Sequence, residues 1–99
     1  MAKRKIIWSP GSKLDLFEIL EFYYKQNYTK TYSRKLNLTF RKSIRLLMRN
    51  PEIGFNTDIQ NIRNLIEGDF SIFCKIQANT IEVITIWDNR QSPDELDLR

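Results

Sequence analysis

The chain has 99 residues, which is room for one hydrophobic core and not for two. Its 41% hydrophobic content, with six Phe, four Tyr and two Trp spread along the chain, excludes wholesale disorder, and no run approaches the roughly 20 apolar residues that cross a bilayer. The net charge of +4 is lopsided: residues 1–49 carry twelve Lys/Arg against three acids, and residues 50–99 carry four against nine. That asymmetry points either to a basic surface for an anionic partner, nucleic acid or an acidic protein segment, or to a plainly solvated helix face.

In chain order, "KRKIIW" at 3–8 reads as a short strand of β-branched and aromatic residues. Its apolar stretch stops at Ser9-Pro10, too short for a signal-peptide core, so a cytoplasmic protein is expected. Ser9 is suited to cap a helix with Pro10 at its first position, and Ser12, with Asp15 three residues on, is an alternative cap. The first helix is predicted from about 10–13 to 26. Leu16, Leu20 and Tyr23 form its stripe, flanked by Phe17 and Tyr24, and Asp15 and Glu18 near its start complement the dipole. "NYT" at 27–29 breaks the pattern, with Thr29 a cap for the next helix.

The second helix, about 30–49, has the cleanest periodicity: Tyr32, Leu36, Phe40, Ile44, Leu47 and Met48 recur at spacings of three and four. Between them lie Lys30, Arg34, Lys35, Arg41, Lys42, Arg45 and Arg49, with no acid at all. So short a link makes the two helices an antiparallel hairpin, and Asn50-Pro51 and Gly54 end the second.

From residue 60 the period changes to two. "NIRNLIEG" (61–68), "DFSIFCKI" (69–76) and "TIEVITIW" (80–87) read as strands joined by the hairpin-length turns "EGD" and "QAN". Phe70, Ile72, Cys74 and Ile76 share one face of the second, opposite Phe73. In the third, Ile81, Val83 and Trp87 oppose Ile84 and Ile86, so a central strand is expected. The order is β-α-α-β-β-β. It predicts a single α+β domain over 1–99, with a helix hairpin packed on a mostly antiparallel four-stranded sheet and a loose polar tail at 89–99.

Several chemistries are excluded outright. With no histidine and one cysteine there is neither a zinc site nor a Ser-His-Asp arrangement, and three scattered glycines make no phosphate loop. No metal or cofactor is expected. Cys74, in an apolar strand, reads as a core residue and not as a nucleophile. What remains is basic and aromatic. If the strand ends bring Arg63 and Arg90 together near the helix hairpin, a cationic hollow with Lys75 would suit a phosphodiester; the alternative is cross-strand pairing of Arg63 with Glu82 or Asp88. Trp87 is either a core or edge aromatic or a base-stacking platform, Gln91 follows the last strand beside Arg90, and Asp88 either orients Arg90 or caps the tail.

The pieces "IIWSPGSKLDLFEILEFYY", "IRLLMRNPEIG", "IRNLIEGDFSIFCKI" and "IEVITIWDNRQSP", in this order, resemble the RelE/ParE toxin superfamily over nearly the whole chain. The resemblance implies a growth-inhibiting toxin of a type II toxin–antitoxin pair. It also implies a cognate antitoxin wrapped on the toxin and operator DNA contacted only through that antitoxin. Antitoxin or nucleic acid would dock on Arg34, Lys35, Arg41, Lys42, Arg45 and Arg49, with Trp87 and Gln91 beside the final strand. Two targets are implied by the two branches of the superfamily. ParE-like toxins inhibit DNA gyrase and carry no nuclease site; RelE-like toxins cut mRNA on the ribosome. Arg63 matches the arginine often seen at the start of the second family strand and Arg90 the basic position after the last strand. With Lys75 they would stand in for the missing nuclease groups as the catalytic candidates of that branch. A third alternative is a degenerate member that binds antitoxin without toxicity. Ser71, however, stands where the nucleases carry an arginine, and no C-terminal His or Tyr is present. These departures favour the gyrase branch.

Overall fold

The computed structural model describes residues 4–27, 30–91, 96 and 98, the side chain of Asn27 excepted. The proposed cap Thr29, residue Lys3 of the first strand and most of the 89–99 tail lie outside the described residues. Strand β1 (Lys5–Trp8) leads into helix α1 (Pro10–Asn27) and helix α2 (Lys30–Arg49). After a single 3₁₀ turn at Pro51–Ile53 come strands β2 (Phe55–Asn56), β3 (Ile62–Glu67), β4 (Phe70–Ile76) and β5 (Thr80–Asp88). The sheet therefore has five strands, one more than expected, ordered β1-β5-β4-β3-β2. The added strand, β2, is only two residues long and follows the Pro51 turn, too short to show any alternation. β1 runs parallel to β5 and every other pair is antiparallel.

Ser9 is the cap that starts α1. Its hydroxyl oxygen accepts from the Ser12 amide at 3.0 Å, and the hydroxyl itself donates to the Ile84 carbonyl of β5 at 3.0 Å. Ser12 is no cap: it is fully buried and donates back to the Ser9 carbonyl. Because the helix begins at Pro10, Asp15 and Glu18 fall beyond its first turn, so the expected dipole role is replaced by another. Asp15 accepts from the Thr85 hydroxyl at 2.6 Å and from the Ile86 amide at 3.3 Å.

Those two contacts sit at an irregularity in β5. Cys74 pairs with Val83 and Phe73 with Thr85, so one extra residue is accommodated on β5 at Ile84. The bulge reverses the alternation beyond it. Ile81, Val83 and Ile86 are all buried in the same core, and Trp87 lies outside it, the reverse of the simple period-two expectation.

The helix hairpin covers one face of the sheet. Phe40, Ile44 and Leu47 of α2 and Leu16 of α1 are buried against Leu65, Ile72, Cys74 and Val83. Each such aliphatic or aromatic side chain contributes about 1.5–3 kcal/mol of transfer free energy. Phe40 and Tyr23 meet Phe70 edge-on, at 5.3 and 6.1 Å between centroids. The helices are tied to each other by a hydrogen bond from Ser33 to the Leu20 carbonyl at 3.0 Å and by Tyr23 against Tyr32 at 5.3 Å. Ser43 of α2 donates to the Glu67 carboxylate, which anchors α2 to the end of β3.

Candidate functional site

β5 ends beside α1, and the residues at and just after its end line a polar hollow facing that helix. The hollow, about 390 Å³, is lined by Asp15, Glu18 and Tyr23 from α1 and by Trp87, Asp88, Arg90 and Gln91 from the end of β5. Arg90 is held as a fork. Its Nε and Nη2 donate to the two Asp88 oxygens at 2.9 and 2.7 Å, and Nη2 also donates to the Tyr23 hydroxyl at 2.7 Å. The Arg90 amide donates to Asp88 as well, at 2.9 Å. The hydrogen bond from Arg90 holds the Asp88 carboxyl below the usual carboxylate range, and the same bond pushes the Arg90 pKa upward. Asp88 thus orients Arg90, one of the two roles open to it. Among the described residues Nη1 of Arg90 has no hydrogen-bond partner, and three carboxylates, Asp15, Glu18 and Asp88, line the hollow beside it. The hollow as a whole carries more negative than positive charge, which opposes entry of a phosphodiester.

Arg63 and Lys75 do not join Arg90. Arg63 is paired with Cys74, four register positions from the Phe70–Asp88 pair that precedes Arg90, about 13 Å along the strands, and two strands across. Its Nη1 donates to the Gly54 carbonyl at 2.9 Å, in place of the expected cross-strand acid. Lys75 lies opposite Ile62 and Glu82, one position further from Arg90. Strand order and register, invisible in the sequence, keep Arg63 and Lys75 away from Arg90. Ser71 is buried and donates to Asn89 at 2.8 Å, so the position of the expected arginine is closed by a small side chain inside the sheet. Trp87 and Gln91 do come together with Arg90 at the hollow.

The basic residues of α2 are all on its exposed side. They fall into two rows: Arg34, Arg41 and Arg45 face the α1 side, and Lys35, Lys42 and Arg49 lie roughly 60–100° around the helix. Arg41 is ordered by a bond from its Nε to Asn37 at 3.1 Å and by stacking over Trp8, 5.3 Å from the ring centroid. Two partners were missed in sequence. Tyr23 read as a core stripe residue, though a half-buried tyrosine hydroxyl needs a partner, and Trp8 read only as a strand aromatic. Among the described residues no group of three or more His, Cys, Asp or Glu is placed to hold a metal ion, and no helix is long and apolar enough to cross a membrane.

The family model described as ParE toxin of type II toxin-antitoxin system, parDE, matches residues 6–93. The chain belongs to the ParE toxin family. The match spans everything from β1 to the residues after Arg90, so the ParE region contains both the Arg90 hollow and the basic helix. No curated protein sequence matches the chain. Among solved structures, its fold is similar to a chain of the chromosomal ParDE TA system from P. aeruginosa, with a TM-score of 0.68 and 17% identity. That superposition covers 85% of this chain and 94% of the other, so the fold is shared over most of both chains.

Proposed function

We propose that this ParE-family toxin arrests growth by binding DNA gyrase in the cytoplasm, without cleaving RNA, and that a cognate antitoxin neutralises it. The separation of Arg63, Lys75 and Arg90 carries this reading. Attack of a 2′-hydroxyl on its neighbouring phosphate needs a base, an acid and charge stabilisation around one phosphate. Here the cations are spread over more than about 13 Å of sheet, Arg90 is neutralised by Asp88, and the hollow beside it is lined with carboxylates. An inhibitor that works by contact needs none of that convergence.

The test is a supercoiling assay with purified gyrase and purified toxin, run beside a primer-extension assay in reconstituted translation. Loss of supercoiling at micromolar toxin with intact message is expected. Unaffected gyrase, or new ribosome-dependent cuts, would overturn the reading.

A further inference from the structure

The hollow between α1 and the end of β5 repels a phosphodiester, and its walls suit the opposite charge. α1 contributes Asp15, Glu18, Ile19, Phe22 and Tyr23, whose spacing of three and four residues puts them on one stripe of the helix. Trp87, Asp88 and Arg90 stand across from that stripe, and no residue of α2 takes part.

Two features of the hollow are not explained by the fold. The first is an aromatic ring. Phe22 is 55% exposed and is absent from the side chains packed on the core. It meets Tyr23 edge-on at 5.1 Å, so with Trp87 the hollow has rings on both walls. The second is charge. Among the described residues Glu18 has neither a hydrogen bond nor an ion pair, and Asp15 holds Thr85 and Ile86 through Oδ2 alone. Arg90 is the one cation among the described lining residues, and Asp88 already pairs with it. In a chain of net charge +4, Asp15 and Glu18 are therefore left uncompensated beside exposed aromatic surface. Carboxylates alone would be a solvated helix face. Carboxylates between rings are different, because the ring faces and the acids attract the same thing, an organic cation.

We infer that this hollow is a recognition site for an arginine side chain presented by another protein, its guanidinium between Phe22 and Trp87 and its N–H groups on Glu18 and Asp15 Oδ1. The planar guanidinium stacks on rings, sheds water more readily than an ammonium and donates as a fork. Asp15 and Glu18 suit that fork, since residues three apart on a helix have β-carbons about 5–6 Å from each other. The volume of about 390 Å³ lies within the roughly 300–1,000 Å³ of pockets that enclose small ligands. The assignment stands apart from the gyrase reading, because it concerns what the hollow takes, whichever protein presents it. A free polyamine is the other source of an organic cation, and the test separates the two.

The Trp8→Phe variant leaves Trp87 as the sole tryptophan, so its emission reports on the hollow. N-acetylarginine amide, titrated at constant ionic strength, is expected to change that emission saturably. N-acetylcitrulline amide has nearly the same shape without the charge and is expected to bind at least roughly tenfold more weakly; N-acetyllysine amide is expected to lose at least roughly threefold. In the same background Glu18→Gln and Phe22→Ala are each expected to weaken the arginine amide at least roughly fivefold. Glu21→Gln makes the same charge change at a residue that pairs with Lys25 outside the hollow, and is expected to cost no more than roughly twofold. Melting temperatures confirm that the variants fold, and Glu18, which has no contact to lose, keeps the test open if Phe22→Ala melts early. No saturable response, a citrulline amide as good as the arginine amide, or equal losses from Glu18→Gln and Glu21→Gln would each overturn the assignment. Putrescine binding more tightly than the arginine amide would overturn it too, by giving the hollow to a free polyamine.

Discussion

Asp15 and Thr85 are joined across α1 and β5 by a 2.6 Å hydrogen bond in which the threonine hydroxyl donates to the carboxylate. The same carboxylate oxygen receives the Ile86 amide, which the β5 bulge leaves beyond the end of its pairing with β1. One side chain thus satisfies two donors at the irregular point of the sheet. Asp15→Ala strands both and is expected to destabilise the fold by about 1–3 kcal/mol. Asp15→Asn keeps an acceptor and is expected to cost less. Urea denaturation of the three proteins decides it; an Asp15→Ala protein as stable as the parent would remove the clamp from the account.

The Asp88–Arg90 pair sets a pH dependence of known sign. The hydrogen bond from Arg90 lowers the folded-state pKa of Asp88 below the roughly 3.9 of an unfolded chain. The stabilisation is therefore fully present above that value and fades as pH falls through the folded pKa. Arg90 is 57% exposed in its side chain, so solvent and salt screen the pair and the effect on the melting temperature is small. The titration itself is the sharper readout. Carboxyl NMR is expected to show Asp88 titrating below the ordinary range in the parent and returning toward it in Arg90→Ala, with Tyr23→Phe between the two. Identical Asp88 curves in parent and Arg90→Ala would show that the fork does not persist in solution.

Much of this architecture is legible in the residue pattern, because the relevant forces are local. The α2 stripe of Phe40, Ile44 and Leu47 is a helical period that only a helix can bury, and Ser9-Pro10 marks the start of α1 by capping chemistry alone. The parts that are not legible depend on long-range pairing. Nothing within "KIIW" says that it lies parallel to β5, and a two-residue strand such as β2 carries no period. The bulge at Ile84 is the clearest case: a single extra residue moves Ile86 into the core and Trp87 out of it, although both suit either face. The cations suffer from the same blindness. Arg63 and Arg90 each sit near a strand end, and only the register shows that the ends are opposite ones.

Cys74 is fully buried between β3 and β5, and burial pushes its thiol up to about 12. A thiolate is the reactive form, so the native protein is expected to resist a disulfide exchange reagent at pH 8 and to react only as fast as it unfolds. The linkage has the opposite sign to that of Asp88. The folded pKa lies above the unfolded one, so the contribution is complete below about 9 and declines as pH rises toward about 12. Cys74→Ala is expected to lose less stability than the parent between pH 8 and pH 10.5. Rapid labelling of the native protein without added denaturant would show that β4 opens locally.

Gly54 and Arg63 constrain each other closely beside β2. A β-carbon at Gly54 would stand 2.9 Å from the Arg63 β-carbon, closer than packed carbons tolerate, while the Arg63 guanidinium donates to the Gly54 carbonyl at 2.9 Å. Arg63 therefore works as a strut between the turn after α2 and the start of β3, which is a structural reason for an arginine there. Gly54→Ala is expected to cost about 1–3 kcal/mol through overpacking. The obstruction is the first side-chain carbon and not the guanidinium, so Arg63→Ala does not relieve it and Arg63→Gly does. A double-mutant cycle tests this: Gly54→Ala should cost as much in the Arg63→Ala background as in the parent, and nearly nothing in Arg63→Gly. Relief by Arg63→Ala would place the conflict at the end of the side chain, and a neutral Gly54→Ala would show that β2 shifts freely away from β3.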